Sequence, residues 1–93
     1  PNLYKLEQNY PNPFNPSTTI AFNLPVDANV TISVFNMLGE EVEILLNKEM
    51  NAGKHSVIFD AKNYTSGTYI YTVKSVDSFG KSNFSAKKMI LIK

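Results

Sequence analysis

The sequence contains no cysteine and no tryptophan, and all nine of its basic residues are lysine. Without cysteine, neither a disulfide framework nor a thiolate metal site can form, so packing must stabilise the fold. Without arginine, the chain lacks the bidentate donors that grip phosphates and guanine edges. Its longest basic run is Lys87-Lys88, and no apolar run approaches the roughly 18 residues of a transmembrane helix. These absences argue against nucleic acid as a partner and against direct membrane insertion.

The length of 93 residues, with 43% hydrophobic and 18% charged residues, indicates a single folded domain over residues 1–93. Residues 1–18 include a connector rich in proline and asparagine. The sequence begins at Pro1, with neither an initiator methionine nor a signal-peptide pattern. We therefore expect the chain to be a piece of a longer protein.

Apolar and polar residues alternate in short segments, and this period of two is typical of strands. Turn residues separate the segments at regular intervals, which favours a β-sandwich. The candidate strands are residues 3–6, 19–24, 30–36, 41–46, 55–60, 68–75 and 84–92. Residues 40–50 also fit a short helix, and we favour a strand there. The chain is therefore predicted to be all-β, with about seven antiparallel strands.

Within the candidate strands, the alternation predicts which side chains face the core. The predicted core rows are Ile20, Phe22 and Leu24, then Val30, Ile32 and Val34, and finally Tyr69, Tyr71 and Val73. The glycines fall in the turn signals, where the backbone needs a positive φ or a close approach. Gly39, Gly53 and Gly67 are therefore predicted to be scaffold residues, together with Tyr69.

Residues 9–18, which we name the proline connector, depart from the strand pattern because Pro11, Pro13 and Pro16 fix φ and favour an extended or turn geometry. Two interpretations of Tyr10 and Phe14 remain open. They can form a ligand motif for an aromatic groove, or both rings can close one end of the sandwich. We favour the second.

Residues that could carry chemistry are scattered along the chain. The single histidine, His55, follows a turn and is predicted to lie at the surface. The acids Glu40, Glu41 and Glu43 lie on one short strand and do not form a cleft, so they are interpreted as solvated edge charges. Isolated aspartates lack the spacing of a calcium loop, and they are Asp27, Asp60 and Asp77. The sequence predicts no enzyme activity, no cofactor and no metal site.

Five segments occur in a fixed order: residues 6–20 with the Asn-Pro-Phe-Asn-Pro-Ser-Thr-Thr run, residues 34–42 with Leu-Gly-Glu, Ala52-Gly53, residues 66–71 with Ser-Gly-x-Tyr, and residues 87–93. In this order the chain closely resembles the C-terminal sorting domain of the type IX secretion system, found in Bacteroidetes. The immunoglobulin-like domain of the flagellar hook-capping protein is a related family. Its members usually carry a tryptophan and a longer insert where this chain has residues 59–67, so the sorting domain is favoured.

The resemblance implies an immunoglobulin-like β-sandwich that passes its cargo from the periplasm through the outer membrane to the cell surface or outside. It also implies two partners, the secretion machinery and a surface sortase-like peptidase that removes the domain and joins cargo to lipopolysaccharide. The alternative is a structural or carbohydrate-binding immunoglobulin-like module of a secreted enzyme, which an exposed aromatic platform would favour.

The recognition element is predicted in the last strand, and its residues are Lys87, Lys88, Met89, Ile90, Leu91, Ile92 and Lys93. Alternation places Met89 and Leu91 on one face and Ile90 and Ile92 on the other, so neither face is polar. Either the proline connector or a partner copy covers the outward pair, or that pair is offered to the export machinery by edge pairing or docking.

Overall fold

The computed structural model describes residues 4–93, which form seven strands. The strands are β1 (Lys5–Leu6), β2 (Ser17–Leu24), β3 (Ala28–Phe35), β4 (Glu41–Met50), β5 (Gly53–Asp60), β6 (Gly67–Asp77) and β7 (Ser82–Leu91). The observed strands match the seven predicted segments, most of them extended by one to four residues at the ends. The predicted first strand included Leu3, which lies outside the described residues.

Two antiparallel sheets form an immunoglobulin-like sandwich. The smaller has the strand order β1-β2-β5, and the larger has the order β4-β3-β6-β7. The core between them is formed by inward-facing residues of both sheets, which are Leu6, Phe14, Ile20, Phe22, Leu24, Val30, Ile32, Val34, Phe59, Ala61, Tyr69, Tyr71, Val73, Met89 and Leu91. The three rows predicted to face inward are all buried. The all-β fold class is therefore confirmed.

β4 is a strand throughout, so the helical alternative for residues 40–50 is wrong. Among residues 4–93 it pairs only with β3, and the register shifts between Ile32 and Ser33 and again between Val34 and Phe35. Because β4 is an edge strand with irregular pairing, its apolar residues are only half-buried or exposed. That partial burial explains the weak alternation in its sequence.

Two hairpin turns have the same construction at opposite ends of the sandwich. In residues 36–40 the Asn36 side chain accepts hydrogen bonds from the backbone N–H groups of Leu38 and Glu40 at 2.9 and 3.0 Å. In residues 77–81 Asp77 does the same for the corresponding N–H groups. Gly39 and Gly80 each have a φ of 84°, the left-handed geometry that a three-residue hairpin loop requires. Gly53 and Gly67 also have positive φ, as predicted.

Candidate functional site

Four aromatic rings line one end of the sandwich, which we name the sealed end. The ring centroids of Phe14 and Phe59 are 6.0 Å apart, those of Phe59 and Tyr64 are 5.7 Å apart, and those of Tyr64 and Tyr69 are 6.2 Å apart. All three pairs are tilted, a geometry that rings favour over direct stacking. Phe14 and Phe59 are fully buried. The proline connector thus contributes a core residue to this end.

The Ser-Gly-x-Tyr segment joins the rings to the end of the chain. The Tyr69 hydroxyl donates to the carbonyl oxygen of Thr65 at 2.7 Å, which fixes the loop before β6. The Ser66 hydroxyl accepts a hydrogen bond from the backbone N–H of Lys93 at 2.9 Å. The Lys93 ammonium group donates to the carbonyl oxygen of Lys62. Residues 87–93 therefore end against this loop.

The predicted recognition residues divide between the two faces of β7. Met89 and Leu91 are buried in the core, as the alternation predicted. Ile90 is 42% exposed and Ile92 is 54% exposed. Lys88 is exposed in the same row as these two residues, and we name Lys88, Ile90 and Ile92 the outward row. The proline connector does not cover this face, so the prediction that the connector covers the outward pair is wrong.

Instead, Gln8 and the proline connector cover the free edge of β7. The Gln8 side chain donates to the carbonyl oxygen of Lys88 at 2.8 Å, and the backbone N–H of Ile90 donates to the Asn12 side-chain oxygen at 2.9 Å. The backbone of Phe14 forms a parallel bridge, because its N–H donates to the carbonyl oxygen of Ile90 and its carbonyl oxygen accepts from the N–H of Ile92. Four outward backbone groups of this half of β7 therefore have partners: the carbonyl oxygen of Lys88, both backbone groups of Ile90 and the N–H of Ile92.

A buried hydrogen-bond network anchors the proline connector. The hydroxyl of Tyr71 accepts from the backbone N–H of Asn9 at 2.8 Å and donates to the carbonyl oxygen of Glu7 at 2.9 Å. The Asn9 side chain donates to the Thr18 hydroxyl at 2.9 Å and to the carbonyl oxygen of Pro11 at 3.1 Å. Burial raises the pKa of Tyr71, which keeps the hydroxyl neutral and able to donate. This network fixes the path of the proline connector.

The expectation for the two connector rings is half right. Phe14 closes the sealed end, but Tyr10 is 80% exposed and is not part of the core. Tyr10 pairs through its backbone with Thr19 of β2, so its ring faces solvent. The peptide bonds before Pro11, Pro13 and Pro16 are cis.

A hydrogen bond between Tyr64 and Glu43 lies at the rim of the sealed end. The Tyr64 hydroxyl donates to a carboxylate oxygen of Glu43 at 2.8 Å. This hydrogen bond, aided by burial and by the negative charge of Glu43, raises the pKa of Tyr64 to about 12. Tyr64 therefore stays protonated and tethers β4 to the loop before β6.

The other candidate residues do not form a catalytic group. The half-buried His55 ring packs on Phe22 with centroids 5.6 Å apart, and its Nε2 lies 2.6 Å from the carbonyl oxygen of Asn51. Its half-buried position differs from the predicted surface histidine because the ring covers Phe22. The three aspartates bind backbone N–H groups in turns, Asp27 that of Ala52, Asp60 that of Lys62 and Asp77 those of Phe79 and Lys81.

Glu41 and Glu43 lie on the edge strand β4, and Glu40 lies in the turn before it. Within residues 4–93, no group of three or more histidine, aspartate or glutamate side chains could hold a metal ion. The same part of the chain has no helix that could cross a membrane.

The opposite end of the sandwich, which we name the cleft end, contains a cleft of about 460 Å³. Both apolar and polar residues line it, and they are Tyr4, Leu24, Pro25, Val26, Ala28, Ser75, Asp77, Lys81 and Asn83. Burial raises the pKa of Tyr4, and the nearby Ser85 side chain offsets part of this rise. The Tyr4 hydroxyl is nevertheless buried without a hydrogen bond of normal geometry to any residue in the described part of the chain.

The exposed aromatic rings lie in different regions. Tyr10 belongs to the proline connector, whereas Phe79 lies at the tip of the β6–β7 turn beside the cleft end. Phe84 lies on β7. Tyr10 and Phe79 therefore do not form a shared aromatic platform.

Sequence reasoning missed the residues that hold the proline connector, chiefly Asn9, Asn12 and the hydroxyl of Tyr71. One signal was available, because a tyrosine in a core row needs a partner for its hydroxyl. The sequence did not identify that partner.

Comparisons with known proteins agree with this fold. A family model described as the secretion system C-terminal sorting domain matches residues 8–92. The crystal structure of dimeric latent PorU from Porphyromonas gingivalis is similar in fold, with a TM-score of 0.74 and 22% identity, over 97% of this chain and 9% of PorU. CopC from Methylosinus trichosporium OB3b has a TM-score of 0.59 and 12% identity, over 96% of this chain and 93% of CopC. No curated protein matches the sequence at a significant level.

Proposed function

Because the chain belongs to the family of secretion system C-terminal sorting domains, we propose that the outward row of β7 is the surface by which the export machinery recognises it. A domain of this family is a cargo sorting signal of the type IX secretion system, which exports proteins to the cell surface or outside the cell. The domain itself is a non-catalytic signal. Recognition therefore has to depend on a surface and not on a reactive centre.

The exposure of Ile90 and Ile92 beside lysines carries this proposal. Two large apolar side chains at 42% and 54% exposure lie in a row with Lys88, and Lys93 follows them. Within residues 4–93, the only salt bridge joins Lys5 and Glu7, so neither lysine has a carboxylate partner there. This surface fits a partner that offers an apolar groove with acidic groups at its rim.

Docking of side chains explains recognition better than pairing along the edge of β7. Edge pairing would require the proline connector to leave, which exposes Phe14 at a cost of about 2–3 kcal/mol. It would also leave buried polar groups of the Asn9 network without partners, at about 1–3 kcal/mol for each. A domain of this size is stable by only about 5–10 kcal/mol in total. Docking on the outward row has no such cost, because the side chains of Ile90 and Ile92 are already exposed.

The remaining residues of the segment have supporting roles in this proposal. Met89 and Leu91 anchor the strand in the core, and the backbone of Lys93 is held by Ser66. Lys87 is half-buried on the inward side of the strand, opposite Tyr71. The recognition surface that we propose is therefore narrower than residues 87–93.

Three further elements follow from the family and belong to the same proposal. The parent cargo domain lies upstream of this chain and crosses the periplasm before export. The export machinery binds the outward row of the folded domain. A surface sortase-like peptidase then separates the domain from its cargo.

A surface-display assay in a host with the secretion system tests the outward row. Residues 1–93 are fused to a periplasmic reporter, and the fraction of reporter on the cell surface is measured. Ile90→Asp with Ile92→Asp should reduce display at least about tenfold, because a charge cannot enter an apolar groove without a large desolvation cost. The matched control is Ile58→Asp on β5, since Ile58 is also an exposed isoleucine at 67% exposure but lies on the other sheet.

His55→Ala serves as a second control and should leave display unchanged. Deletion of residues 87–93 is less informative, because it removes the buried Met89 and Leu91 and can unfold the domain. Circular dichroism of the purified variants shows whether each is folded. Normal display of the folded double variant would contradict the proposal, as would an equal loss of display in Ile58→Asp.

A further inference from the structure

The half of β7 that carries the outward row lies at the edge of its sheet, where its composition makes it prone to pair with a strand of another molecule. Edge strands present unpaired N–H and carbonyl groups that can pair with another chain. Residues 89–92 read Met-Ile-Leu-Ile and are apolar on both faces, which is the composition that favours strand-to-strand aggregation. The other half of the strand is more polar, since it contains Ser82, Asn83 and Ser85.

The free edge of this half of β7 would be complementary to the same edge of a second copy if it were uncovered. An antiparallel pair with Ile90 opposite Ile90 joins its N–H and carbonyl groups to those of the second copy. The same register joins the carbonyl oxygen of Lys88 to the N–H of Ile92 on each side. Lys88 then lies opposite Ile92, so the centre of the pairing is free of like charges, and Lys87 lies opposite Lys93 only at its two ends.

These groups are the same four that Gln8, Asn12 and Phe14 occupy in the structure. We propose that these three residues guard the edge of β7 against pairing with the same edge of a second copy. The guard depends on sequence-distant contacts, since Gln8 is 80 residues from Lys88 and Asn12 is 78 residues from Ile90. It acts within the isolated chain and is independent of the proposed recognition by the export machinery.

The guard covers only the apolar half of the strand. The continuous register between β6 and β7 makes the N–H groups of Phe84 and Ala86 point to the same free edge as that of Ile90. No hydrogen bond from residues 4–93 reaches either of these two N–H groups. Protection is therefore concentrated where the sequence is most prone to pair.

Hydrogen exchange of the unmodified chain 1–93 tests the cover directly. The amides of Ile90 and Ile92 should exchange at least about 100-fold more slowly than those of Phe84 and Ala86, although all four face the same edge. Two-dimensional NMR measures these amides individually. Equal exchange at Ile90 and Phe84 would show that the edge is not covered and would overturn the proposal.

A second experiment tests the consequence for association. Gln8→Ala with Asn12→Ala removes two of the four edge contacts, and both side chains lie at the surface. The apolar core is untouched, although Gln8→Ala also removes the 2.6 Å hydrogen bond from Gln8 to the side-chain oxygen of Asn9. The matched control is Asn15→Ala, an exposed asparagine of the same connector that has no side-chain hydrogen bond to residues 4–93. Sedimentation velocity over a concentration series gives the dimerisation constant of each variant.

The double variant should dimerise at least about tenfold more strongly than the unmodified chain and Asn15→Ala, because its edge offers unpaired groups. Adding Ile90→Lys to the double variant should restore the monomer, since two lysines would then lie opposite each other in the pairing register. A double variant that remains as monomeric as the control would overturn the guard. A dimer that Ile90→Lys does not weaken would show association through another surface and would also overturn it.

Discussion

The two ends of the sandwich are built from the same sheets but are packed very differently. At the sealed end, Phe14 and Phe59 are buried within a series of rings that continues through Tyr64 and Tyr69. At the cleft end, small residues such as Ala28 and polar residues such as Ser75 leave a cleft of about 460 Å³ between the sheets. One end is closed by aromatic packing and the other remains open to solvent.

This difference shows where the domain holds its structure most firmly. The sealed end receives the proline connector, the Ser-Gly-x-Tyr loop and the last residues of the chain, and Lys93 is tied to Ser66 there. A surface that must be recognised by shape needs such fixed support, because ordering it at the moment of binding would cost affinity. The cleft end carries no part of the proposed recognition surface.

Matched leucine substitutions at the two ends should give the largest difference. Leu91 at the sealed end and Leu24 at the cleft end are both buried, with 1% and 2% exposure. Leu91→Ala should destabilise the domain by about 4 kcal/mol, because the cavity is enclosed by rings and cannot collapse easily. Leu24→Ala should cost about 2–3 kcal/mol, because the space joins an open cleft that water can fill.

Urea unfolding of the purified variants measures both costs, with the slope of each curve as a check that the same amount of surface unfolds. Equal costs for the two variants would remove the basis of the comparison. A larger cost for Leu24→Ala would reverse it.

Removing the hydroxyl of Tyr71 or that of Tyr4 compares how well buried hydroxyl groups are hydrogen-bonded in the two regions. Tyr71→Phe removes the group that binds the N–H of Asn9 and the carbonyl oxygen of Glu7, and it should destabilise the domain by about 1–3 kcal/mol. Tyr4→Phe at the cleft end should change stability by less than about 0.5 kcal/mol or stabilise slightly, since its hydroxyl is buried without a hydrogen bond of normal geometry to residues 4–93.

Thermal unfolding followed by circular dichroism distinguishes these outcomes, since about 1 kcal/mol shifts the midpoint by about 4–8 °C in a domain of this size. If Tyr4→Phe costs as much as Tyr71→Phe, the Tyr4 hydroxyl has a partner in solution and the two ends are equally satisfied.

The sequence predicted the sandwich well because its core strands alternate clearly. In β2 and β6 the buried rows follow the predicted residues, since one face of each strand is in contact with the core along its whole length. In β4 the pattern is weaker, because this edge strand has register shifts and only partly buried side chains. Periodicity reports burial, so it becomes ambiguous where burial is partial.

The arrangement of the proline connector could not be predicted in the same way. Tyr10 and Phe14 are both aromatic, yet only Phe14 is buried, and no periodic pattern in an irregular segment tells them apart. The contacts that decide their positions join distant parts of the chain, such as Asn9 to Tyr71 across 62 residues. A single sequence indicates that a buried hydroxyl needs a partner but does not reveal which residue provides it.

The smallest expected effect concerns the pH dependence of the sealed end. The hydrogen bond to Glu43 is the main cause that raises the pKa of Tyr64 from its ordinary value of 10.0 to about 12. The folded state therefore holds the phenol proton more tightly than the unfolded chain does. Stability from this contact is fully present below about pH 10 and is lost as the pH rises toward about 12, because the unfolded state then binds fewer protons.

The measurement compares the free energy of unfolding of the unmodified chain with that of Tyr64→Phe at a series of pH values from about 8 to about 11.5. The difference between the two should be constant up to about pH 10 and should then decrease, whereas the titration of lysines and other tyrosines cancels in the subtraction. The decrease should be small because Tyr64 and Glu43 are only half-buried and solvent weakens their interaction. Glu43→Gln should flatten it further by removing the carboxylate charge. A difference that stays constant through the whole range would mean that the Tyr64–Glu43 contact does not persist in solution, and that the rim of the sealed end is held by its rings alone.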